Sequence, residues 1–153
     1  MSEEITVAPT PDHAEFWAWC RRGELRVQRC TDCGALRFHP RPRCPVCRSA
    51  GFEWVRCSGR GTVFTYTICH PPVLAAFADR VPYNAAVIEL AEGPLMVSNI
   101  VDCGNDDIHV GMHVEVVFVE RGGMVLPQFR PLSPSGFGRV HNRASDPNTD
   151  SEE

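Results

Sequence analysis

The sequence predicts a mainly β protein: a short N-terminal helix, a small module built on four cysteines, a five-stranded barrel and a disordered C-terminal tail. Three observations carry that expectation. Cys30-x-x-Cys33 and Cys44-x-x-Cys47 stand ten residues apart, a spacing at which two knuckles present four thiolates to one tetrahedral zinc. From Gly59 onward, β-branched and aromatic runs alternate with Gly and Pro turns, the pattern of short antiparallel strands. Beyond Leu132 the composition turns to Ser, Pro, Gly, Asn and Asp and ends on Asp150-Ser151-Glu152-Glu153, too polar to bury a core. The expected bounds are a leader over 1–11, helix over 12–25, zinc module over 26–57, barrel over 58–132 and tail over 133–153.

The helix signals begin at Pro11-Asp12-His13-Ala14-Glu15, where Asp12 can cap and Glu15 can reach back from the first turn. Phe16, Trp19 and Cys20 follow at i, i+3 and i+4, with Trp17 beside them, and Gly23 ends the run. Three large aromatics exceed what so short a helix can bury alone. They either pack on the rest of this chain or dock on another protein.

In the cysteine module, Leu25–Gln28 leads in as a strand and Phe52–Val55 leads out as another. Gly34 supplies permissive backbone just after the first knuckle. Arg37-Phe38-His39-Pro40-Arg41-Pro42-Arg43 keeps the intervening loop extended and cationic. Two disulfides or a redox Cys-x-x-Cys are the alternatives. Nothing at the N-terminus resembles a secretory signal, which disfavours disulfides. A thioredoxin-type motif calls for one such pair in a βαβ setting, not two in tandem. Zinc held by Cys30, Cys33, Cys44 and Cys47 has no open coordination position, so its expected role is structural.

The barrel strands are read at Thr62–Cys69, Asn84–Leu90, Leu95–Val101, Val114–Val119 and Met124–Phe129. Ala91-Glu92-Gly93-Pro94 and Gly122-Gly123 supply turns, and Pro71–Pro82 is an irregular apolar insert. Five short strands of this kind fit a small Greek-key barrel of the OB type.

The net charge of −4 conceals an asymmetry. Residues 21–60 hold ten arginines against Glu24, Asp32 and Glu53, while the flanking segments are acidic. A cationic module suits an anionic partner: phosphate, nucleic acid or an acidic protein face. All fifteen basic residues are arginine, a bias that genome composition explains as well as selection for guanidinium groups does. Hydrophobic residues make up 43%, enough for a packed core. No apolar run approaches the roughly 20 residues of a membrane span, so a soluble, reduced, cytoplasmic protein is expected.

No catalytic set stands out. Cys69 and His70 are neighbours in a strand and point to opposite faces. Cys103, His109 and His113 lack a consistent ligand spacing. Glu89, Glu92, Asp102, Asp106 and Asp107 read as a solvated face. Gly59-Arg60-Gly61-Thr62 is too short for a phosphate loop and reads as a pivot between module and barrel.

The ordered series is more specific than any single motif. It comprises Phe16-Trp17, Gly23-Glu24-Leu25, the four cysteines, Pro40-Arg41-Pro42, the run from Gly59 to Thr67, Pro82-Tyr83, Glu92-Gly93 and Gly111-Met112-x-Val114. Over residues 12–131 it resembles a family of acyl-CoA-associated proteins with a rubredoxin-like zinc ribbon and a C-terminal OB-fold. The resemblance implies a non-catalytic accessory subunit in a hetero-oligomer with a thiolase-fold enzyme, either a thiolase or a steroid side-chain retro-aldolase. It implies that ribbon and helix hold the partner while the OB-fold helps shape an acyl-CoA route at the shared interface. Some relatives are fused to a hydratase; no hydratase-like segment is read here, so channelling by fusion is not expected. Two other readings stand beside it: a single-stranded nucleic-acid module, since OB-folds and zinc ribbons both serve that role, and a free-standing CoA-ester enzyme.

Overall fold

The structure, a computed structural model, describes residues 10–132. The expected tail and nearly all of the expected leader lie outside the described residues. Helix α1 runs from Pro11 to Arg21. Thr10, in extended conformation, takes the cap position and Pro11 the first helical position, where a missing N–H costs nothing. Asp12, expected as the cap, instead sits in the first turn, its carboxylate near the positive end of the helix. The helix stops before the expected Leu25 because Gly23 turns left-handed at φ +71°. Gly23 N–H then bonds Cys20 O at 2.9 Å and Glu24 N–H bonds Trp19 O at 3.1 Å, satisfying carbonyls the helix leaves over.

Three short strands follow: β1 (Arg26–Cys30), β2 (Leu36–Arg37) and β3 (Phe52–Arg56), antiparallel in the order β2-β1-β3. The second sheet has five strands: β4 (Arg60–Cys69), β5 (Tyr83–Leu90), β6 (Leu95–Ser98), β7 (His113–Arg121) and β8 (Met124–Pro131). Their order is β6-β5-β4-β7-β8. β4 pairs with β5 along its length but with β7 only over Arg60–Thr62, and a register shift falls between Val63 and Thr65. Such a bulge bends one strand so that it serves two directions.

The two edges of this curled sheet meet. Val101 N–H bonds Phe129 O at 2.7 Å, Phe129 N–H bonds Asn99 O at 3.0 Å, and Ile100 bridges Phe129 in parallel. The strand expected over Leu95–Val101 therefore breaks after Ser98. Buried Asn84 explains the break: its amide donates to Ile100 O at 2.9 Å, and its carbonyl accepts from Ile100 N–H at 2.7 Å. The side chain satisfies backbone groups that lack a strand neighbour there.

Val63, Ile88, Leu90, Val114 and Phe129 fill the barrel, and Phe16, Cys20, Leu25 and Val27 join the same buried cluster from the helix and the first sheet. Burying each such large side chain is worth about 1.5–3 kcal/mol. The joint at Gly59-Arg60-Gly61 is not a pivot. Val116 N–H bonds Gly59 O at 2.7 Å and Ala91 N–H bonds Arg60 O at 2.9 Å, locking it into the barrel.

Candidate metal centre

Two near-identical turns bring the four cysteines together. In the first, Cys30 N–H bonds Ala35 O at 3.0 Å and Gly34 N–H bonds Cys30 O at 2.9 Å. In the second, Cys44 N–H bonds Ser49 O at 2.8 Å and Arg48 N–H bonds Cys44 O at 2.9 Å. The fifth residue of each turn is left-handed, Gly34 at φ +74° and Arg48 at φ +64°. Superposing the two Cys-x-x-Cys segments in the sequence already sets Arg48 opposite Gly34, a signal that sequence reasoning passed over.

The four sulfurs lie within 4.8 Å of one another. Cys30 and Cys47 stand 3.5 Å apart, and Cys33 and Cys44 3.6 Å. A zinc tetrahedron with Zn–S bonds of about 2.3 Å has edges of about 3.8 Å. The set fits zinc and not disulfides, and all eight cysteines are free. Backbone donors favour the thiolate at two of the four sulfurs, while crowding by the neighbouring thiols pushes Cys33 and Cys47 the other way. The N–H groups of Cys47 and Val46 bond the Cys44 sulfur and hold its thiol down to about 6. Those of Cys33 and Asp32 lower Cys30 in the same way. A thiolate is the form a metal takes.

A buried polar clip fixes the loop between the turns. Gln28 carbonyl accepts from Arg37 Nε at 2.8 Å and from Arg41 N–H at 2.9 Å, while Arg37 Nη2 donates to Arg41 O at 3.0 Å. Arg29 pairs with Glu53 at 2.6 Å and Arg26 with Glu24 at 2.7 Å, so part of the module's positive charge is compensated within the chain. Beside the loop, a cavity of about 200 Å³ opens between α1, Phe38-His39 and the β6 and β8 strands.

The helix aromatics pack on their own chain. Phe16 is fully buried, with Trp17 and Phe38 rings at 5.0 and 5.3 Å. Trp19 lies beneath the guanidiniums of Arg26 and Arg22, at 3.8 and 4.9 Å. Of the other candidates, Cys69 faces Tyr83 across the β4–β5 pair and its thiol raises the Tyr83 pKa, while His70 is exposed. His109 bonds Asp107 O at 3.1 Å. Among the described residues, only the four cysteines form a cluster able to hold a metal. Sequence reasoning missed a second cavity, lined by Arg80, Arg121 and Gln128. The hint was an arginine at each of two loop ends.

Fold and site together define a zinc-ribbon protein with an OB-fold and one structural zinc. Residues 17–53 match the family model of the ChsH2 rubredoxin-like zinc ribbon domain, and residues 54–119 that of the ChsH2 C-terminal OB-fold domain. The solved Ltp2-ChsH2(DUF35) aldolase contains a similar chain, with a TM-score of 0.75, 36% identity, and coverage of 82% of this chain and 98% of that one. A probable enoyl-CoA hydratase alpha subunit of Thermomonospora curvata is 37% identical over 80% of this chain and 38% of its own length. A DUF35 domain-containing scaffold protein of Methanocaldococcus jannaschii is 43% identical over 59% of this chain and 64% of its own. The chain thus spans 38% and 64% of these two relatives. It belongs to the ChsH2/DUF35 family. Among the described residues, no helix is long and apolar enough to cross a membrane.

Proposed function

We propose that this chain is a non-catalytic accessory subunit that binds and supports a thiolase-fold acyl-CoA enzyme, a thiolase or a steroid side-chain retro-aldolase, in the cytoplasm. Cys30, Cys33, Cys44 and Cys47 are the zinc ligands, and the ribbon they brace, residues 26–57, is the handle that grips the partner. The barrel, residues 58–132, lies along the acyl-CoA route. One observation carries the reading: the chain matches 98% of the DUF35 chain in a structure described as an Ltp2-ChsH2(DUF35) aldolase.

Physical features support it. Four sulfurs that close a coordination sphere leave no position for substrate. Exposed apolar side chains remain for a partner to cover: Val46 on the second turn, Leu74 on the insert and Val97 on β6, at 71%, 73% and 62% exposure. Phe16 is buried within the chain and Trp19 is half-buried beneath the Arg26 guanidinium, so the helix aromatics add little to that surface. Eight cysteines, none of them in a disulfide, suit a reducing compartment.

Coexpression with a thiolase-like aldolase partner tests the proposal. The two chains should elute as one species in size exclusion, and the partner's acyl-CoA turnover should depend on the added chain. Turnover by this chain alone, or no association with any thiolase-fold enzyme, defeats it.

A further inference from the structure

A third cavity, of about 220 Å³, lies between the start of α1 and the ribbon. Asp12 and Glu15 of the helix, Arg41 and Pro42 of the loop, and Phe52 and Trp54 of β3 line it. The donors around it outnumber the acceptors. Arg37, 6% exposed, stands 5.5 Å from the Phe52 ring centroid. Its Nε and Nη2 donate to Gln28 and to Arg41 O, but Nη1 has no partner. No carboxylate pairs with this guanidinium among the described residues, and a buried cation left so is costly. The Trp54 indole N–H is also buried without a partner. Orphans of this kind are rare and call for an acceptor. Gln28, also in the lining, cannot serve, because its carbonyl already accepts twice.

The helix side has the opposite character. Asp12 and Glu15 are exposed and three residues apart on α1, which sets them on one face. Neither forms an ion pair among the described residues. The β3 side is aromatic. Phe52 and Trp54 alternate along the strand and so share a face, with their rings edge to face at 6.1 Å. Phe52 remains exposed despite its size.

An occupant must bring carbonyl acceptors for the orphaned donors, a cation for the two acids and compact apolar rings for the aromatic wall. It must also carry few N–H groups of its own, since the wall has no neutral acceptor to spare. A proline-rich stretch meets each demand: its carbonyls stay free, its imide nitrogens hold no hydrogen, and its extended form is set in advance. Aromatic-lined grooves recognise such segments. We propose that this cavity docks an extended segment of a partner protein in which Arg or Lys stands beside prolines. The cation meets Asp12 and Glu15, and a backbone carbonyl meets the Trp54 N–H. An acidic segment fits less well, because the two carboxylates repel it. The proposal rests on the accessory reading only for which protein carries the segment.

Calorimetric titration of the zinc-loaded full chain tests it, with the end-capped peptide Arg-Ala-Leu-Pro-Pro-Leu-Pro as probe. Comparison peptides carry Glu for the arginine or Ala for every proline, and arginine amide is titrated alone. The first peptide should bind, each comparison probe more weakly, and added salt should weaken binding. Trp54→Phe keeps a ring but drops the N–H. It should weaken the peptide about fivefold, the worth of one neutral hydrogen bond, with zinc content unchanged. Asp12→Asn together with Glu15→Gln, both on the exposed helix face, should weaken it by about fivefold and flatten the salt dependence. The proposal fails if the peptide does not bind at millimolar concentration, or if arginine amide or the glutamate peptide binds as tightly. It fails equally if the double acid variant binds as wild type does. Size exclusion with the aldolase partner is read separately. Peptide binding without assembly upholds the pocket and sinks the accessory reading; assembly without peptide binding does the reverse.

Discussion

The ribbon and the barrel are both made of short antiparallel strands, yet their interiors differ in kind. The barrel closes around Val63, Ile88, Leu90, Val114 and Phe129, all of them buried. The ribbon buries Val27, Cys30 of its sheet and Cys44 of its second turn, but also Gln28 and Arg37. A module of some thirty residues has too little apolar surface to hold itself together, and a metal supplies what packing cannot. Size and interior chemistry thus decide which region depends on zinc and which on side-chain contact.

The largest test of this contrast is metal removal. Structural zinc contributes an apparent 10–16 kcal/mol, roughly, in small modules. Chelation, or Cys44→Ser, should abolish hydrogen-exchange protection in β1–β3 while amides of β4, β5 and β7 stay protected. Equal loss in both sheets would show that the barrel leans on the metal as well. Next in size, Phe129→Ala should cost about 3–5 kcal/mol, read as a lower urea midpoint with zinc retained. Should zinc content fall in step, the two interiors are not separable.

A smaller effect comes from the thiols where the two regions meet. Burial raises Cys20 and Cys57 from 9.0 to about 12. As pH rises through 9.0, an unfolded chain releases these protons first. Their contribution to stability is therefore complete below that pH and declines toward about 12. The urea midpoint should fall between mildly and strongly alkaline buffer, and neither thiol should alkylate in the folded protein under mildly alkaline conditions. Rapid labelling of either would place it at the surface.

The smallest test compares the two turns themselves. Arg48 occupies the left-handed position that Gly34 fills in the first turn, a conformation costing an L-residue about 1–2 kcal/mol. Arg48→Gly removes that strain but frees the unfolded chain. Metal affinity and melting temperature should hold steady or rise slightly. A marked loss of zinc would mean that the Arg48 side chain itself supports the second turn.

Much of this was legible beforehand because it rests on local rules. Thiolate spacing set out the metal cluster, and alternation with turn residues located all five barrel strands. Gly23 announced the helix end. Asp12 misled because the helix starts two residues earlier than a cap there would set it: Pro11, with φ already fixed, opens the first turn, and Thr10 holds the cap position without a side-chain bond. The third barrel strand ran too long on paper because its interruption depends on Asn84, a residue from another strand.

The amino-acid order alone determined where the chain bends, which sulfurs share a metal and how many strands follow, since neighbouring residues settle each of these. Tertiary structure alone decided that the helix aromatics turn inward and that the glycine joint is rigid. It also decided that Arg80, Arg121 and Gln128 share one cavity. Those outcomes depend on contacts between groups distant in sequence, and strand register and sheet curvature bring such groups together only once the barrel has closed.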